Sequence, residues 1–314
     1  MHGVLVRPMK AGDLDEADRI MRLAFGTFLG LPDPMKFMGD ADYVRTRFRA
    51  DPPAALAAEI DGKLVGSNFA LDWGSVGIFG PLTIHPEYWN MGVARSLLDE
   101  TMKLFRSWGT RHMGLYTFAD STKHVHLYQE YGFWPRQLVA IMSKLLEANA
   151  PKEGDAGISF STLGPGEKKN AISDCANLTG QVFEGLDLRK EILSVDSQNL
   201  GDTILVGDSK NARLSGIGIC HVGPGTEAGS DVCYVKFAAA RNSEGFDRLL
   251  DACESYAISR NALRLTVGVN TGRHDAYRRM IERGFRTGMQ GVAMHNPNDP
   301  GYSLANVYAL DDWR

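Results

Sequence analysis

The sequence is short of the features that place a protein in a membrane, on nucleic acid or in a secreted scaffold. None of its apolar runs approaches the ~20 residues that a membrane-spanning helix needs. Its first residues lack the charged and then apolar stretch of a signal peptide. The net charge of -4 gives no reason to expect nucleic acid or an anionic membrane as a partner. We therefore predict a cytoplasmic protein that binds neither.

Cysteine is scarce as well. The four cysteines all lie in the second half, with no C-x-x-C pair, at Cys175, Cys220, Cys233 and Cys253. Without paired spacing, buried thiols in a reducing compartment are favoured over a metal site or a disulfide framework. We expect a protein without a metal.

What is present is the composition of an ordinary globular protein, with 44% hydrophobic and 23% charged residues. A chain of 314 residues is long for one core and suits two domains of ~150 residues each. Residues 148–156, which include Pro, Lys, Glu and Gly, form the best candidate for a linker. We predict an N-terminal domain at 1–147 and a C-terminal domain at 157–314.

Hydrophobic periodicity predicts strands and helices throughout the first half. Apolar residues at helical spacing indicate one helix after Asp13 and a clearer, amphipathic one beginning near Val93. The turn Asp61-Gly62 joins two strand-like runs into a predicted β-hairpin. Further elements are expected as strands at 4–7, 77–84, 112–118 and 138–142, and as short helices at 41–49 and 123–130.

The second half repeats the first at a constant offset of 152 residues. Gly132-Phe133 corresponds to Gly284-Phe285, and Leu97-Leu98-Asp99 corresponds to Leu249-Leu250-Asp251. A third match at this offset lies in the predicted hairpin. Separated matches at one offset indicate an internal duplication.

A loop between a strand and a helix is the most informative segment. The strand ends at His85-Pro86, the loop carries Gly92, and the amphipathic helix follows at once. Unpaired backbone N–H groups at the start of a helix, together with the positive end of its dipole, suit a diphosphate. Gly92 and Ala94 are small enough for phosphate oxygens to approach the backbone. The same residues also fit an ordinary tight turn before a helix.

This segment resembles the signature of the GNAT superfamily of N-acetyltransferases, which is a Gln or Arg, two residues, Gly, one residue, then Gly or Ala. Gly92 and Ala94 occupy the last two fixed places, whereas Trp89 stands where Gln or Arg is usual. The resemblance implies an α/β fold with an α+β mixed sheet, in two tandem GNAT-like domains, and acetyl-CoA or another acyl-CoA as co-substrate. The binding residues that it implies are Leu82, Thr83, Ile84, Trp89, Asn90, Met91, Gly92, Val93, Ala94, Arg95 and Ser121.

A second family feature lies downstream, where Leu127-Tyr128 and Gly132-Phe133 match the end of a GNAT motif. The resemblance implies that Tyr128 is the general acid that protonates the departing CoA thiolate, and that Ser121 lies near the pantetheine arm. A phenol beside the sulfur can hydrogen-bond the developing negative charge. The structural alternative for Tyr128 is an aromatic core residue on an amphipathic helix.

The second half is expected to have lost this chemistry and to be degenerate. At the offset of 152, the positions of the two small loop residues and of the acid hold Glu244, Phe246 and Met280. A carboxylate repels phosphate, a phenyl ring fills its space, and a thioether has no proton to give. The remaining role expected for the second half is packing against the first half or closing the acceptor site.

A basic run in the second half comprises Arg273, His274, Arg278, Arg279 and Arg283. Such a run is ordinarily a solvated face, and contact with an acidic acceptor or partner is the alternative.

The resemblance implies direct attack of an amine on the thioester in a ternary complex, so the amine must lose a proton. Candidates for the base are Glu59, Asp72 and His85, followed by Glu87 and His126, and the sequence does not choose among them.

The main hypothesis is an N-acetyltransferase that acts on a small-molecule amine and has one working domain. The apolar segment 25–48 is either core or part of a partly hydrophobic acceptor pocket. A non-catalytic acyl-CoA sensor or assembly module, and transfer to a thiol or hydroxyl, are the alternatives. Tyr128 favours the enzyme, whereas a pocket without a base would favour the sensor.

Overall fold

A single mixed β-sheet runs through both halves of the chain. The computed structural model describes residues 3–147, 157–207 and 213–314, so the predicted linker at 148–156 lies outside the described residues. Within them, fourteen strands form one sheet, and neighbouring strands are antiparallel except for one parallel pair in each half. The α/β class with a mixed sheet is therefore confirmed.

The two halves contribute similar sets of elements. In the first half these are β1 (Leu5–Pro8), α1 (Leu14–Phe28), α2 (Val44–Ala50), β2 (Ala55–Ile60), β3 (Lys63–Trp73), β4 (Val76–Phe79), β5 (Thr83–Ile84), α3 (Val93–Trp108), β6 (His112–Thr117), α4 (Thr122–Glu130) and β7 (Trp134–Leu145). In the second half they are β8 (Ile158–Ser159), α5 (Pro165–Val182), α6 (Arg189–Gln198), β9 (Gly201–Gly207), β10 (Leu214–Gly223), β11 (Gly229–Ala240), α7 (Ser243–Ser259), β12 (Arg264–Asn270), α8 (His274–Glu282), β13 (Arg286–Asn296) and β14 (Tyr308–Leu310).

The order of elements in the second half follows that of the first. Helix α8 begins and ends 152 residues after α4, and strands β12 and β13 begin 152 residues after β6 and β7. The parallel pairs are β4 with β6 and β11 with β12, which are equivalent places in the two halves. The repeat predicted from the sequence thus reappears as a repeated arrangement of strands and helices.

The last long strand of each half pairs with strands of the other half. Strand β7 lies antiparallel between β12 and β13, with Met142 opposite both Val267 and Thr287. Strand β13 pairs in turn with β6, where Val292 lies opposite Thr117. The sheet order across this junction is β4-β6-β13-β7-β12-β11. The two sequence segments are therefore interlocked in space through an exchange of strands.

Strands β4 and β6 separate beyond Ile78, which lies opposite Gly114 in the last pair of their register. The sequence predicts one strand over 77–84, but the structure has two short strands, β4 and β5, interrupted around Pro81. Proline has no backbone N–H and cannot continue a hydrogen-bonded ladder. Strand β5 pairs with β3 only, so the space beside the end of β6 stays open.

Helix α3 begins directly after this break in the sheet. Its buried face consists of Val93, Leu97, Leu98, Thr101 and Phe105, so four of the predicted apolar residues are buried, while Ala94 and Leu104 are only partly buried. Burying a leucine side chain contributes roughly 1.5–3 kcal/mol. Packing of this face against β2 and β3 fixes where the first turn of the helix points.

Three further predictions concern chemistry rather than architecture. None of the helices in the described part of the chain combines the length and the apolar character that crossing a membrane requires. The four cysteines are buried and unbridged. Within residues 3–147, 157–207 and 213–314, no group of His, Cys, Asp and Glu is arranged to hold a metal ion.

Candidate functional site

A cavity of about 600 Å³ opens where β4 and β6 separate. Its walls include residues 79–84 between β4 and β5, residues 115–118 at the end of β6, and the first turns of α3 and α4. The cavity brings together Tyr128 and every predicted binding residue except Met91, whose side chain is exposed to solvent instead. Residues that lie far apart in the sequence thus converge on one space.

The start of α3 faces this cavity without a capping side chain. Gly92 is the N-cap residue and has a φ of 84°, a left-handed conformation that is strained for residues with a Cβ. Asn90, with a φ of 66°, makes a second left-handed turn in the same loop. The N–H groups of the first turn have no intrahelical partner, and the positive end of the helix dipole adds to their attraction for anions. The loop therefore presents the uncapped first turn of α3 to the cavity.

Trp89, the departure from the family signature, takes part in the fold of this loop. Its indole Nε1 donates a hydrogen bond to the carbonyl oxygen of Ile84 at 2.8 Å. The bond ties the loop to the end of β5, while the ring remains 36% exposed and lines the cavity. The indole thus supplies a hydrogen-bond donor where Gln or Arg is usual.

Positive charge surrounds the loop. Lys123 Nζ donates to Asn90 Oδ1 at 2.7 Å, and Arg95 pairs with Glu130 at 2.6 Å, so both contacts join the α3 end of the loop to α4. These side chains are exposed, and Lys123 and Arg95 line the cavity. Cations beside unpaired backbone N–H groups favour a bound phosphate through charge-assisted hydrogen bonds.

Tyr128 lies on the face of α4 that lines the cavity. Its ring packs edge-on against Phe79, with the ring centroids 5.8 Å apart, and belongs to a buried cluster with Phe105 and Phe133. Burial raises the pKa of the Tyr128 phenol well above its usual range, so the O–H keeps its proton at neutral pH. Tyr128 is therefore both a core residue and a protonated phenol at the cavity, the form that a general acid needs.

Ser121 and His124 form a polar pair on the same side of α4 as Tyr128. Ser121 Oγ lies 2.8 Å from His124 Nδ1, and the His124 ring packs 5.3 Å from the ring of Phe28. Burial, followed by the charge of Lys123, lowers the pKa of His124, so its ring is neutral at pH 7. A neutral imidazole on the cavity wall can accept a proton. The sequence pattern did not indicate His124 as a proton acceptor, because its position on the cavity wall depends on the rotation of α4 about its axis.

The base candidates from the sequence lie elsewhere, with one exception. Glu59 and Asp72 are each engaged in a salt bridge, and His85 Nδ1 accepts a hydrogen bond from the backbone N–H of Glu87 at 3.3 Å. The candidates Glu59, Asp72, His85 and Glu87 do not line the cavity. His126 does line it, with a largely exposed side chain. No Asp or Glu is found among the lining residues in the described ranges.

The other end of the cavity is built by both halves. Arg47 of α2 donates to the carbonyl oxygens of Gly80 and Arg314, both at 2.6 Å, and forms a buried salt bridge with Glu227 at 2.9 Å. Trp313 and Arg314 line this end. The loop before α3 and the residues that Arg47 contacts, Gly80 and Arg314, therefore line the same cavity.

The corresponding helix start in the second half is occupied by the chain itself. Asn242 Oδ1 accepts a hydrogen bond from the N–H of Gly245 at 2.8 Å and so caps α7. Phe246 is fully buried, with its ring 5.5 Å from that of Tyr308. Asn242 of the chain itself thus takes up one of the N–H groups at this helix start, a bond that has no counterpart at the start of α3 among the described residues.

The equivalent of the break between β4 and β5 is closed as well. Strand β14 pairs with residues 238–240 of β11, which correspond to residues 82–84 when the parallel pairs of the two halves are aligned. Met280, at the position of Tyr128, is fully buried in the core.

The basic run of the second half is neutralised internally. Arg273 is buried and pairs with Asp311 at 3.0 Å, and Arg279 pairs with Asp247 at 2.5 Å. Arg283 pairs with Asp251. These three arginines hold α8 to neighbouring elements, whereas Arg278 and His274 of the same run are exposed.

Comparison with known proteins gives one family and a set of similar folds. Residues 18–133 match the acetyltransferase (GNAT) family. A putative acetyltransferase from Pyrococcus horikoshii superposes with a TM-score of 0.68 at 13% identity, covering 100% of this chain and 96% of that chain. A GCN5-related N-acetyltransferase from Sphaerobacter thermophilus gives a TM-score of 0.60 at 13% identity, covering 93% and 95%.

A third similar structure is the glucosamine N-acetyltransferase region of a fungal multi-domain GH3 β-N-acetylglucosaminidase. Its TM-score is 0.62 at 15% identity, covering 94% of this chain and 38% of that chain. No curated protein sequence matches the chain. At these identities the structural likenesses show the fold alone.

Proposed function

We propose that the chain transfers an acetyl group from acetyl-CoA to an amine, on the premise that residues 18–133 match the acetyltransferase (GNAT) family. The observation that carries the proposal is one cavity lined both by an uncapped helix start and by a buried, protonated phenol. The match to this family implies an acyl-CoA donor. The cavity supports a single working site, in the first half.

In this proposal the diphosphate of the coenzyme binds at the start of α3. The backbone N–H groups of residues 92–95 and the cations Arg95 and Lys123 supply the attraction. The pantetheine arm runs beside residues 82–84, where the interrupted strand leaves β5 without a neighbour on the β6 side, and Ser121 lies on the opposite wall. The acyl group then lies near Phe79 and Tyr128, in the middle of the cavity.

The chemical step needs one proton donor and one proton acceptor. The amine nitrogen attacks the thioester carbon, a C–N bond forms, the C–S bond breaks, and Tyr128 donates its proton to the departing thiolate. The attacking nitrogen loses a proton to water or to His124, the neutral histidine on the wall. Tyr128 is then reprotonated from solvent.

The second half has a structural role in this proposal. Its helix α7 is capped by its own Asn242, and β14 covers the strand edge that a pantetheine arm would need. Its residues 313–314 close the acceptor end of the first half's cavity. One coenzyme per chain is therefore expected.

The second candidate is a non-catalytic acyl-CoA sensor, favoured by the observation that no carboxylate lines the cavity within the described residues. His124 and His126 supply proton-accepting groups there, and so the enzyme is preferred. Thiol release separates the two candidates, because a sensor binds acetyl-CoA without turnover.

The test combines calorimetric titration of acetyl-CoA with a thiol-release assay across an amine panel that includes glucosamine. Wild type is expected to bind one coenzyme and to release thiol. Gly92→Glu is expected to abolish both, because it places a carboxylate and a strained Cβ beside the phosphates. The matched control is Gly109→Glu at the other end of α3, where glycine is also left-handed and faces open space. Equal loss in both variants, or full binding by Gly92→Glu, would contradict the proposed site.

A further inference from the structure

The acceptor end of the cavity is a wall of aromatic and sulfur-containing side chains. Phe25 and Phe37 stack with their ring centroids 5.1 Å apart. Other apolar or aromatic lining residues at this end are Met38, Tyr43, Tyr116, Met289 and Trp313. A flat apolar group buried here leaves water and gains ring contacts. A sugar or a polyol would instead desolvate several hydroxyl groups against a mostly apolar wall.

The charge of the lining side chains disfavours an acceptor with more than one ammonium group. Within the described residues no Asp or Glu lines the cavity, whereas Arg314 does. The acids behind this wall are already engaged, because Asp312 pairs with Arg314 at 3.0 Å and Glu227 pairs with Arg47 at 2.9 Å. A second cation on the acceptor would find no carboxylate side chain in the lining as a counter-ion, which is unfavourable.

Two polar groups of the cavity lining have no hydrogen-bond partner among the described residues. They are the hydroxyl of Tyr116 and Nε of Arg314, both buried. Burial raises the pKa of Tyr116 to about 12, so its O–H is a donor at neutral pH. The Tyr116 ring crosses β13 at Gly291, where a Cβ would lie 2.3 Å from Tyr116 Cζ. The exchanged strand thus holds this ring in place.

Two unpartnered donors in one cavity lining, one of them carried by a cation, complement an oxyanion such as a carboxylate. We propose that the acceptor is an aromatic or large apolar primary amine that also carries a carboxylate, the composition of an aromatic amino acid. The apolar group occupies the Phe25–Phe37 wall, the carboxylate meets Tyr116 and Arg314, and the amine faces the thioester. This inference rests on the proposed function and names the substrate class of the same cavity.

The experiment compares four amines in the thiol-release assay with acetyl-CoA. L-Phenylalanine carries all three features, phenethylamine lacks the carboxylate, L-alanine lacks the ring, and spermidine is a polycation. We expect kcat/KM for L-phenylalanine to exceed that for phenethylamine or L-alanine by about tenfold or more, the value of one charged hydrogen bond or one buried ring. Spermidine is expected to be worse by about 100-fold.

Two variants test the carboxylate contacts. Arg314→Gln and Tyr116→Phe are each expected to lower the ratio of kcat/KM for L-phenylalanine over phenethylamine toward one. The matched control is Tyr256→Phe, which removes another buried hydroxyl without a partner, in the core of the second half and away from the cavity. This control should keep the ratio of the wild type.

Preference for spermidine over L-phenylalanine, or a wild-type ratio of L-phenylalanine over phenethylamine at or below one, would overturn the inference. So would an unchanged ratio in both variants. Absence of thiol release with every amine would count against the proposed function instead. The acceptor class would then be judged by calorimetric binding of the same four compounds: binding of L-phenylalanine without spermidine supports it, and any other pattern overturns it.

Discussion

The indole of Trp89 donates its hydrogen bond to the carbonyl oxygen of Ile84, five residues earlier in the chain, at 2.8 Å. This bond ties residue 89 to the end of β5 and so fixes part of the loop between β5 and α3. The indole N–H thus makes a contact that a Gln or Arg side chain could also make at this place.

Removing this bond should weaken coenzyme binding. Trp89→Phe keeps an aromatic ring but loses the donor, and one hydrogen bond contributes about 1 kcal/mol, so the dissociation constant for acetyl-CoA is expected to rise about fivefold. The control is Trp134→Phe on β7, an exposed tryptophan outside the cavity. Calorimetric titration measures both, and an unchanged affinity in Trp89→Phe would refute the positioning role.

Loss of the phenol at position 128 should slow the chemical step without loosening the coenzyme. Tyr128→Phe keeps the packing against Phe79 and removes the proton, so kcat is expected to fall roughly 100-fold, the lower range for general acid catalysis. Affinity for acetyl-CoA should stay within about twofold, a free-energy change below the value of one hydrogen bond. Steady-state rates and calorimetry decide this, and a Tyr128→Phe enzyme with full kcat would show that another group protonates the thiolate.

The buried Arg47–Glu227 pair should stabilise the whole chain, because it joins the two halves. Glu227→Gln leaves the buried cations Arg47 and Lys236 short of an anion, which is expected to cost about 3–5 kcal/mol of unfolding free energy. The control is Glu100→Gln, which removes the exposed pair with Lys103 and should cost at most about 0.5 kcal/mol. Urea denaturation measures both. Similar small losses in the two variants would contradict the role of the buried pair.

Stability should fall as the pH falls below about 6.5, because of buried histidines. Burial, followed by the charges of His112, Arg273 and Arg136, lowers the pKa of His295 to about 3, while a backbone hydrogen bond with Asp299 opposes this shift. The folded-state pKa lies below that of the unfolded chain, so the unfolded chain binds the proton first. The contribution of His295 is complete above its unfolded pKa of ~6.5 and is lost by about 1.4 kcal/mol per pH unit below it.

Melting temperature between pH 7.5 and pH 5 measures this effect. His295→Gln is expected to flatten the decline relative to wild type, whereas His274→Gln, which changes an exposed histidine on α8, should leave the slope unchanged. Parallel slopes for wild type and His295→Gln would rule out this histidine as a source of the pH dependence.

Much of the first half could be predicted from periodicity and short motifs. Helix α3 has the predicted apolar face, α4 begins and ends within one residue of its predicted bounds, and the hairpin β2–β3 forms around the Asp61-Gly62 turn. These elements follow from local spacing, which a sequence states directly. The prediction of one continuous strand over 77–84 was wrong, because Pro81 interrupts it. This proline is visible in the sequence and could have indicated the break.

The remaining features of the fold and of the candidate site depend on long-range contacts, which no local sequence pattern encodes. The residues 313–314 reach the cavity through Arg47, which lies 267 positions earlier in the chain. The pairing of β7 with β12 joins segments with no shared motif. His124 faces the cavity because of the rotation of α4 about its axis. The carboxylates of Glu59 and Asp72 form salt bridges, and residue spacing alone does not reveal these pairs.

The exchange of β7 and β13 makes each half the missing partner of the other. In a polypeptide that stops at residue 147, the apolar strand β7 would lack its partners on both edges. Unpaired strand edges promote aggregation. Produced together, fragments 1–147 and 157–314 should nevertheless recombine without a covalent join, since their interlock is made by backbone pairing. Co-elution of the two fragments in gel filtration, with restored coenzyme binding, would show that the two halves associate as the subunits of a dimer do, although one chain joins them.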